Sequence, residues 1–419
     1  MIGTPLAKND RLRIAVLGYI VRGPFGGMAW HHLQYLIGLR QLGHDVLFVE
    51  DSDDFPSCYD PSRGAFGVDP AYGLRFAGAS LGPLGLGDRW AYHDAHGGLW
   101  LGPRAGDAVE FCRSADLVLN VSGVNPLRPW LMEAPARVFI DTDPAFTQIR
   151  HLEDHSAAER AGRHTAFFTF GEAIAAGRSF VPVVGLPWLP TRQPIALDAW
   201  PAAPLPDAGA FTTVMHWESY PARTHHGVRY GLKADAFGPY ESLPERVGAT
   251  FELALGGDSA PRERLAARGW GIVDPRRVAD DAWSYRRYLR RSRGEFAVAK
   301  HGYVVGRTGW FSERSACYLA SGRPVVVQDT GFPDWLECGA GVHAFRSPEG
   351  AAGALEEVIA RAPFHARAAR EIASAYFDAR RVLARLINFA LDSNRGARPR
   401  DVITAPLTMR RPDRCDAAS

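Results

Sequence analysis

Lysine is nearly absent. Of 48 basic residues only Lys8, Lys233 and Lys300 are lysines, and the rest are arginine. With abundant alanine and glycine, this reads as a coding bias toward GC-rich codons, under which a surviving lysine marks a local need for an ammonium group. An excess of either charge is also missing: 48 basic against 46 acidic residues leave +2, so nothing pulls the chain toward nucleic acid or an anionic membrane. No apolar run reaches about 18 residues, which excludes a spanning helix and leaves peripheral membrane contact open. Residues 1–13 are polar, with no apolar run behind a basic start, and do not read as a secretory signal. The five cysteines (Cys58, Cys112, Cys317, Cys338, Cys415) form no CxxC pair and no metal-ligand spacing. An odd, scattered set predicts reduced thiols and a cytoplasmic protein.

What is present is length and alternation. The 419 residues, 46% of them hydrophobic, exceed one ordinary core and fit two domains of about 200 residues each. Residues 11–17 read as a buried parallel strand, followed by a glycine-rich loop at 18–27. Apolar residues at helical spacing (Trp30, Leu33, Leu36, Ile37, Leu39) predict a helix over 28–42, stopped by Gly43. A second strand at 45–49 ends in Glu50 and Asp51. This β-loop-α-β unit opens a doubly wound sheet. Residues 56–103 are rich in glycine, proline and aromatics without a period and predict a long irregular insertion. Strands are expected at 117–121, 137–140 and 167–170. Residues 186–208 carry six prolines and read as a linker. The alternation then restarts, with strands at 212–216, 249–255, 270–273, 296–298 and 324–328, and helices at 261–268, 283–291, 312–321, 349–361, 365–376 and 380–391. The expected division is an N-terminal domain over 1–188, a linker over 189–209, a C-terminal domain over 210–379, a final helix over 380–394 and a loose tail over 395–419.

The segment 294–332, GEFAVAKHGYVVGRTGWFSERSACYLASGRPVVVQDTGF, is the most informative. It reads strand, loop, short helix, glycine, proline, strand, glycine turn. The loop 302–312 feeds a helix N-terminus, whose free N–H groups and positive dipole suit a diphosphate. Gly306 and Gly309 allow close backbone approach. Arg314 sits in the first helical turn, where a cation opposes the dipole unless an anion lies nearby.

This segment resembles the donor half of GT-B glycosyltransferases. In that family the stretch before A-x-G-x-P-V-V holds the nucleotide and diphosphate; here the motif is Ala320-Ser321-Gly322-Arg323-Pro324-Val325-Val326, and the turn Asp329-Thr330-Gly331-Phe332 matches the sugar-contacting loop. The resemblance implies two Rossmann-like α/β domains facing across a cleft, with the last helix crossing back to the N-terminal domain. It implies an enzyme moving a hexosyl or related sugar from a nucleotide-diphospho-sugar co-substrate, without metal or other cofactor. The acceptor would be a hydroxyl on a small molecule, natural product or cell-surface glycan; the near-neutral charge of +2 is what speaks against nucleic acid as a partner. The donor site it implies comprises Lys233, Lys300, Arg307, Thr308, Gly309, Trp310, Ser312, Glu313, Arg314, Thr330 and Gly331. The acceptor-side loop comprises Gly23, Phe25, Gly26 and Gly27. The Glu-x7-Glu pair of the common retaining group is missing, because its positions hold Gly309 and Cys317; Glu313 is the nearest acid and could take the ribose role. Each lysine has a plainer alternative as a solvated surface group.

An acceptor hydroxyl needs a base, and His31 or His32, at the start of the helix after the glycine-rich loop, has a suitable pKa. Asp141 and Asp143 are rivals at a strand C-terminal end. Asp141-Thr142-Asp143 also spells a DxD, though in the wrong half for a metal. Trp217 and Trp310 could stack on a base or sugar. Three other classes stay open. A nucleotide-sugar epimerase would use Glu295 or Glu313. An NAD-dependent oxidoreductase would use Glu50, although the loop is not GxGxxG. A non-catalytic nucleotide-sugar binder is the third.

Overall fold

A computed structural model describes residues 11–394 except Val184 and Asp207. The tail 395–419 with Cys415, and the first ten residues with Lys8, lie outside the described residues. In chain order the first group of strands is β1 (Arg13–Leu17), β2 (Asp45–Asp51), β3 (Cys58–Asp60), β4 (Ala65–Gly67), β5 (Trp90–Asp94), β6 (Leu99–Leu101), β7 (Leu117–Val121), β8 (Ala136–Asp141), β9 (Ala166–Thr169) and β10 (Trp188–Pro190). The second is β11 (Phe211–His216), β12 (Arg223–His225), β13 (Val228–Tyr230), β14 (Phe251–Gly256), β15 (Trp270–Val273), β16 (Gly294–Ala297), β17 (Val325–Gln328) and β18 (Val342–Phe345). One sheet runs β10-β9-β8-β7-β1-β2-β5-β6, parallel except for the β5–β6 edge, and the other runs β15-β14-β11-β16-β17-β18, parallel throughout.

Strand β1 lies mid-sheet between β2 and β7, which is why its sequence, RIAVL, is apolar without alternation. The helix Gly26–Gln41 is buried on nearly all faces, because it is covered by its own sheet, by the second half of the chain and by the last helix. Gly38 makes that packing feasible: a Cβ there would lie 2.7 Å from Ala379 Cβ and Leu383 Cδ1. The helix Ala379–Asn394 thus crosses back onto the first half, burying Leu383, Leu386, Ile387 and Ala390. Trp30 ties the same helix to the second half. Its ring packs edge-on against Trp200 and Trp283, and its Nε1 donates to Ala282 O at 2.6 Å.

Three expectations are corrected. Residues 56–103 are not irregular: they form the β3–β4 hairpin, the helix Ala71–Leu81 and β5, which joins the sheet beside β2. These elements are short, and the helix carries two glycines and four alanines or serines, so no period shows. Residues 188–190, within the proline-rich segment, form edge strand β10 paired to β9; an edge tolerates Pro190. Residues 302–312 are not all loop, since the five-residue helix His301–Val305 is too short to reveal a period.

Candidate active site

The glycine-rich loop is held from beneath by Glu50. This carboxylate is fully buried at the end of β2 and accepts the backbone N–H groups of Ile20, Val21 and Arg22 at 2.6, 2.8 and 2.6 Å. An acid so occupied cannot grip a ribose, which removes the feature behind the NAD reading. Gly26 meets the second half directly: its N–H donates to Ala279 O at 3.0 Å, and a Cβ there would lie 2.3 Å from Asp281 O. Gly23 and Phe25 line the cleft cavity described below, and Gly27 abuts Tyr285.

Across the cleft, two residues singled out separately in the sequence meet. Lys300 Nζ, from the second half, donates to Asp143 Oδ1 at 2.9 Å, and Asp143 follows β8 of the first half. Tyr220 donates to the other carboxylate oxygen, and Tyr303 donates to Oδ1. The ammonium also sits 4.5 Å from the Tyr220 ring centroid and 5.1 Å from that of Phe146. Burial alone would raise the pKa of Asp143, but the Lys300 charge and the tyrosine hydroxyls outweigh it and hold the carboxyl below its usual range. Asp141 points elsewhere. It accepts from Gln148, Thr169 and the Asp143 N–H at 2.8, 2.7 and 3.0 Å, and burial pushes its pKa up. The two acids of the DxD therefore do not share a site, and no group of three metal-ligating side chains exists among the described residues.

Beside this pair lies a small cavity of about 20 Å³, lined by Lys233, Trp310, Ser312, Arg314 and Gln328. Lys233 begins the helix Lys233–Phe237. Its amine has no ion-pair or hydrogen-bond partner among the described residues, and burial, with the Arg314 charge adding to it, pushes its pKa well below the ordinary value. Arg314 donates to Glu295 Oε1 at 2.6 Å and to Val214 O at 2.7 Å. Part of the counter-charge that its helical position called for is thus built into the protein. Lys233 has none.

Several other expected donor residues face away. Glu313 does not line this cavity. The Cys317 thiol donates to it at 3.0 Å, and Gln34 of the first half donates to Cys317 at 3.4 Å. Arg307 is paired with Asp334 at 2.9 Å. The close approach that Gly309 permits is to the Ala173 backbone, 2.7 Å from a would-be Cβ. Thr308 is buried with its hydroxyl on Tyr303 O, while Thr330 and Gly331 close the turn beneath Trp310. Trp217 is core, packed on Phe237. His32 is buried between two backbone groups, with Met28 O at 2.8 Å from Nδ1 and the Tyr19 N–H donating to Nε2 at 3.3 Å. His31 has no hydrogen-bond partner among the described residues, and burial lowers its pKa to about 4.

Burial raises Glu313 from 4.5 to about 7. A carboxyl whose folded-state pKa exceeds its unfolded value keeps its proton longer when folded. Its burial is therefore tolerated fully below about pH 4.5, and stability falls as pH rises through about 7. Glu313→Gln should flatten that slope and gain on the order of 2 kcal/mol at pH 8 relative to wild type, read from urea melts at pH 5 and pH 8. Equal slopes in the two proteins would refute this.

A second, larger cavity of about 1020 Å³ opens between the halves, lined by Tyr19, Phe25, Tyr59, Arg150 and Asn125 on one side and by His216 and Ser219 on the other. Tyr220, Tyr303 and Arg150 carry no signal in the sequence; Glu50 carries one, its place at a strand end, which points to a ribose and not to the loop it holds.

No family model and no curated protein matches the chain. Solved structures do share its fold. A crystal structure of Anabaena Alr3699/HepE in complex with UDP-glucose aligns with a TM-score of 0.55 at 13% identity, covering 91% of this chain and 99% of that one. An alpha-glucosyltransferase in complex with UDP-glucose and DNA containing an abasic site gives 0.55 at 10% identity, covering 91% and 100%. AviGT4, a glycosyltransferase involved in Avilamycin A biosynthesis, gives 0.52 at 14% identity, covering 92% and 99%. At such identities the likeness establishes the fold: two Rossmann-like sheets in the GT-B arrangement. No described helix is long and apolar enough to cross a membrane.

Proposed function

We propose that the chain is a glycosyltransferase that moves a sugar, a hexosyl group in the first instance, from a nucleoside-diphosphate sugar to an acceptor hydroxyl. The half built on β11–β18 grips the donor and the half built on β1–β10 presents the acceptor. The observation that carries this reading is Lys233, an unpartnered and desolvated ammonium beside Arg314, with Lys300 close by. Three cations that share two carboxylates, with Lys233 in direct contact with neither, fit a diphosphate that arrives and leaves. The acceptor oxygen attacks the anomeric carbon, the bond to the β-phosphate oxygen breaks, and the electron pair leaves on the diphosphate, where Lys233, Lys300 and Arg314 stabilise it without a metal. The hydroxyl proton passes to a base. Burial lowers the pKa of both histidines and keeps both neutral; His31 has the better claim because no described partner occupies its nitrogens, whereas those of His32 meet Met28 O and the Tyr19 N–H.

The small cavity has room for about one water, so the donor enters only when the halves part at the Asp143–Lys300 contact. Closure then excludes water from the reacting groups. All four described cysteines are free, which fits a reducing cytoplasm. Two of the solved structures that share the fold, HepE and the alpha-glucosyltransferase, hold UDP or UDP-glucose, so UDP-hexoses are the first donors to test. Thermal melts with UDP, GDP, dTDP and NAD are expected to show stabilisation by a nucleoside diphosphate of about 2–3 kcal/mol at a hundredfold excess over Kd. Stabilisation by NAD alone would overturn the reading.

A further inference from the structure

We infer that the acceptor is anionic and that Arg150 recognises its charge, an inference that rests on the glycosyltransferase reading above. Five arginines line the large cavity: Arg22, Arg128, Arg150, Arg160 and Arg163. Four have a carboxylate partner, with Arg22 on Glu50, Arg128 on Asp51 and Asp54, Arg160 on Asp53 and Arg163 on Glu159. Arg150 alone has none among the described residues, and its Nε is buried without a hydrogen-bond partner.

The acids near Arg150 are already engaged. Asp154 caps the helix His155–Gly162 through the Ser156 and Ala157 N–H groups, and Glu153 pairs with Arg223. A buried Nε is not by itself distinctive, since Arg13, Arg22 and Arg290 share it; what sets Arg150 apart in this cavity wall is that it has no carboxylate, and guanidinium groups drawn from water are ordinarily met by an anion. The helix Phe146–Glu153 that carries Arg150 begins three residues after Asp143, and the Arg150 charge is felt at the Tyr220 hydroxyl. The guanidinium therefore stands in the cavity wall near the cross-cleft ion pair, where an acceptor must come to be glycosylated.

Elsewhere in the cavity wall, Phe25 stacks on Tyr59 with centroids 5.2 Å apart, and Tyr59 meets Phe66 at 5.1 Å. Phe25 and Phe66 are 44% and 70% exposed. That strip suits the face of a ring. The acceptor class is a ring-bearing molecule with a carboxylate or a phosphate.

The test uses the full chain saturated with UDP. The probes are 4-nitrophenyl β-D-glucoside, 4-nitrophenyl β-D-glucuronide and glucose 6-phosphate, with binding read by saturation-transfer NMR and titration. One or both charged probes should bind about 10- to 100-fold more tightly than the neutral glucoside. Which of the two does so separates carboxylate from phosphate recognition. Arg150→Gln should abolish that preference and Arg150→Lys should retain part of it, both with UDP affinity unchanged. Equal affinity for charged and neutral probes, no binding of any probe, or a preference that survives in Arg150→Gln would overturn the inference. Loss of UDP binding in the wild type would instead fail the donor reading.

Discussion

Lys233→Met is expected to lower kcat/KM for the nucleotide-sugar by about 10²- to 10³-fold and at the same time to raise Tm by about 1–2 °C. The two effects share one cause. A partly buried ammonium beside Arg314, with no carboxylate in direct contact, costs the folded state free energy, and the same desolvation pushes its pKa down. Methionine keeps the unbranched stem and removes the charge, so the apo protein is relieved of that cost. The donor loses the group that would neutralise its leaving diphosphate. When the anion binds, its charge restores the ammonium's pKa, so the lysine gives its full stabilisation only in the complex. A structural lysine would behave the opposite way, with activity kept and stability lost. Donor kinetics unchanged within about threefold, together with a lower Tm, would dismiss Lys233 from the donor site.

How far the sequence reveals this site follows from the range of its signals. The β/α alternation is local and legible, and so are the strands at 117–121 and 137–140 and the αL glycine at 43. Lys300 and Asp143 are legible as single residues, one through the scarcity of lysine and the other through its place at a strand end. Their meeting is not, because they lie 157 positions apart and only the relative placement of the two sheets brings them together. Tyr220 and Tyr303 carry no pattern at all, and their role comes from sharing one carboxylate. Glu50 reads locally as a ribose-binding acid and becomes a cradle only once the loop folds over it. Glu313 reads as the nearest acid for a ribose; the burial that raises its pKa is set by packing that a helix period does not report. Helix and strand periods report the face a residue presents to its own sheet and are silent about a second domain's surface.

Asp143→Asn is expected to lower kcat by about 10²-fold and to leave the acidic limb of the pH–rate profile where wild type has it. In the native site both carboxylate oxygens are occupied, Oδ1 by Lys300 and Tyr303 and Oδ2 by Tyr220. The pKa is held below the usual carboxylate range. Such a group stays ionised at working pH and has little affinity for an acceptor's proton, so its work is to position Lys300 across the closed cleft. Asparagine preserves the shape, but its single carbonyl oxygen can take the place of only one carboxylate oxygen, its amide nitrogen turns a donor toward the other partner, and without the charge it cannot hold an ammonium at 2.9 Å with the same force. The lysine then samples more rotamers, and the closed geometry is populated less often. Loss of one partner from a half-buried pair also costs about 1–3 kcal/mol of stability, measurable by urea melts and separable from the loss in kcat at low temperature. If the acidic limb vanished in Asp143→Asn, the carboxylate would be the proton acceptor itself. If kcat held, the cross-cleft pair would be a latch without a part in the chemistry.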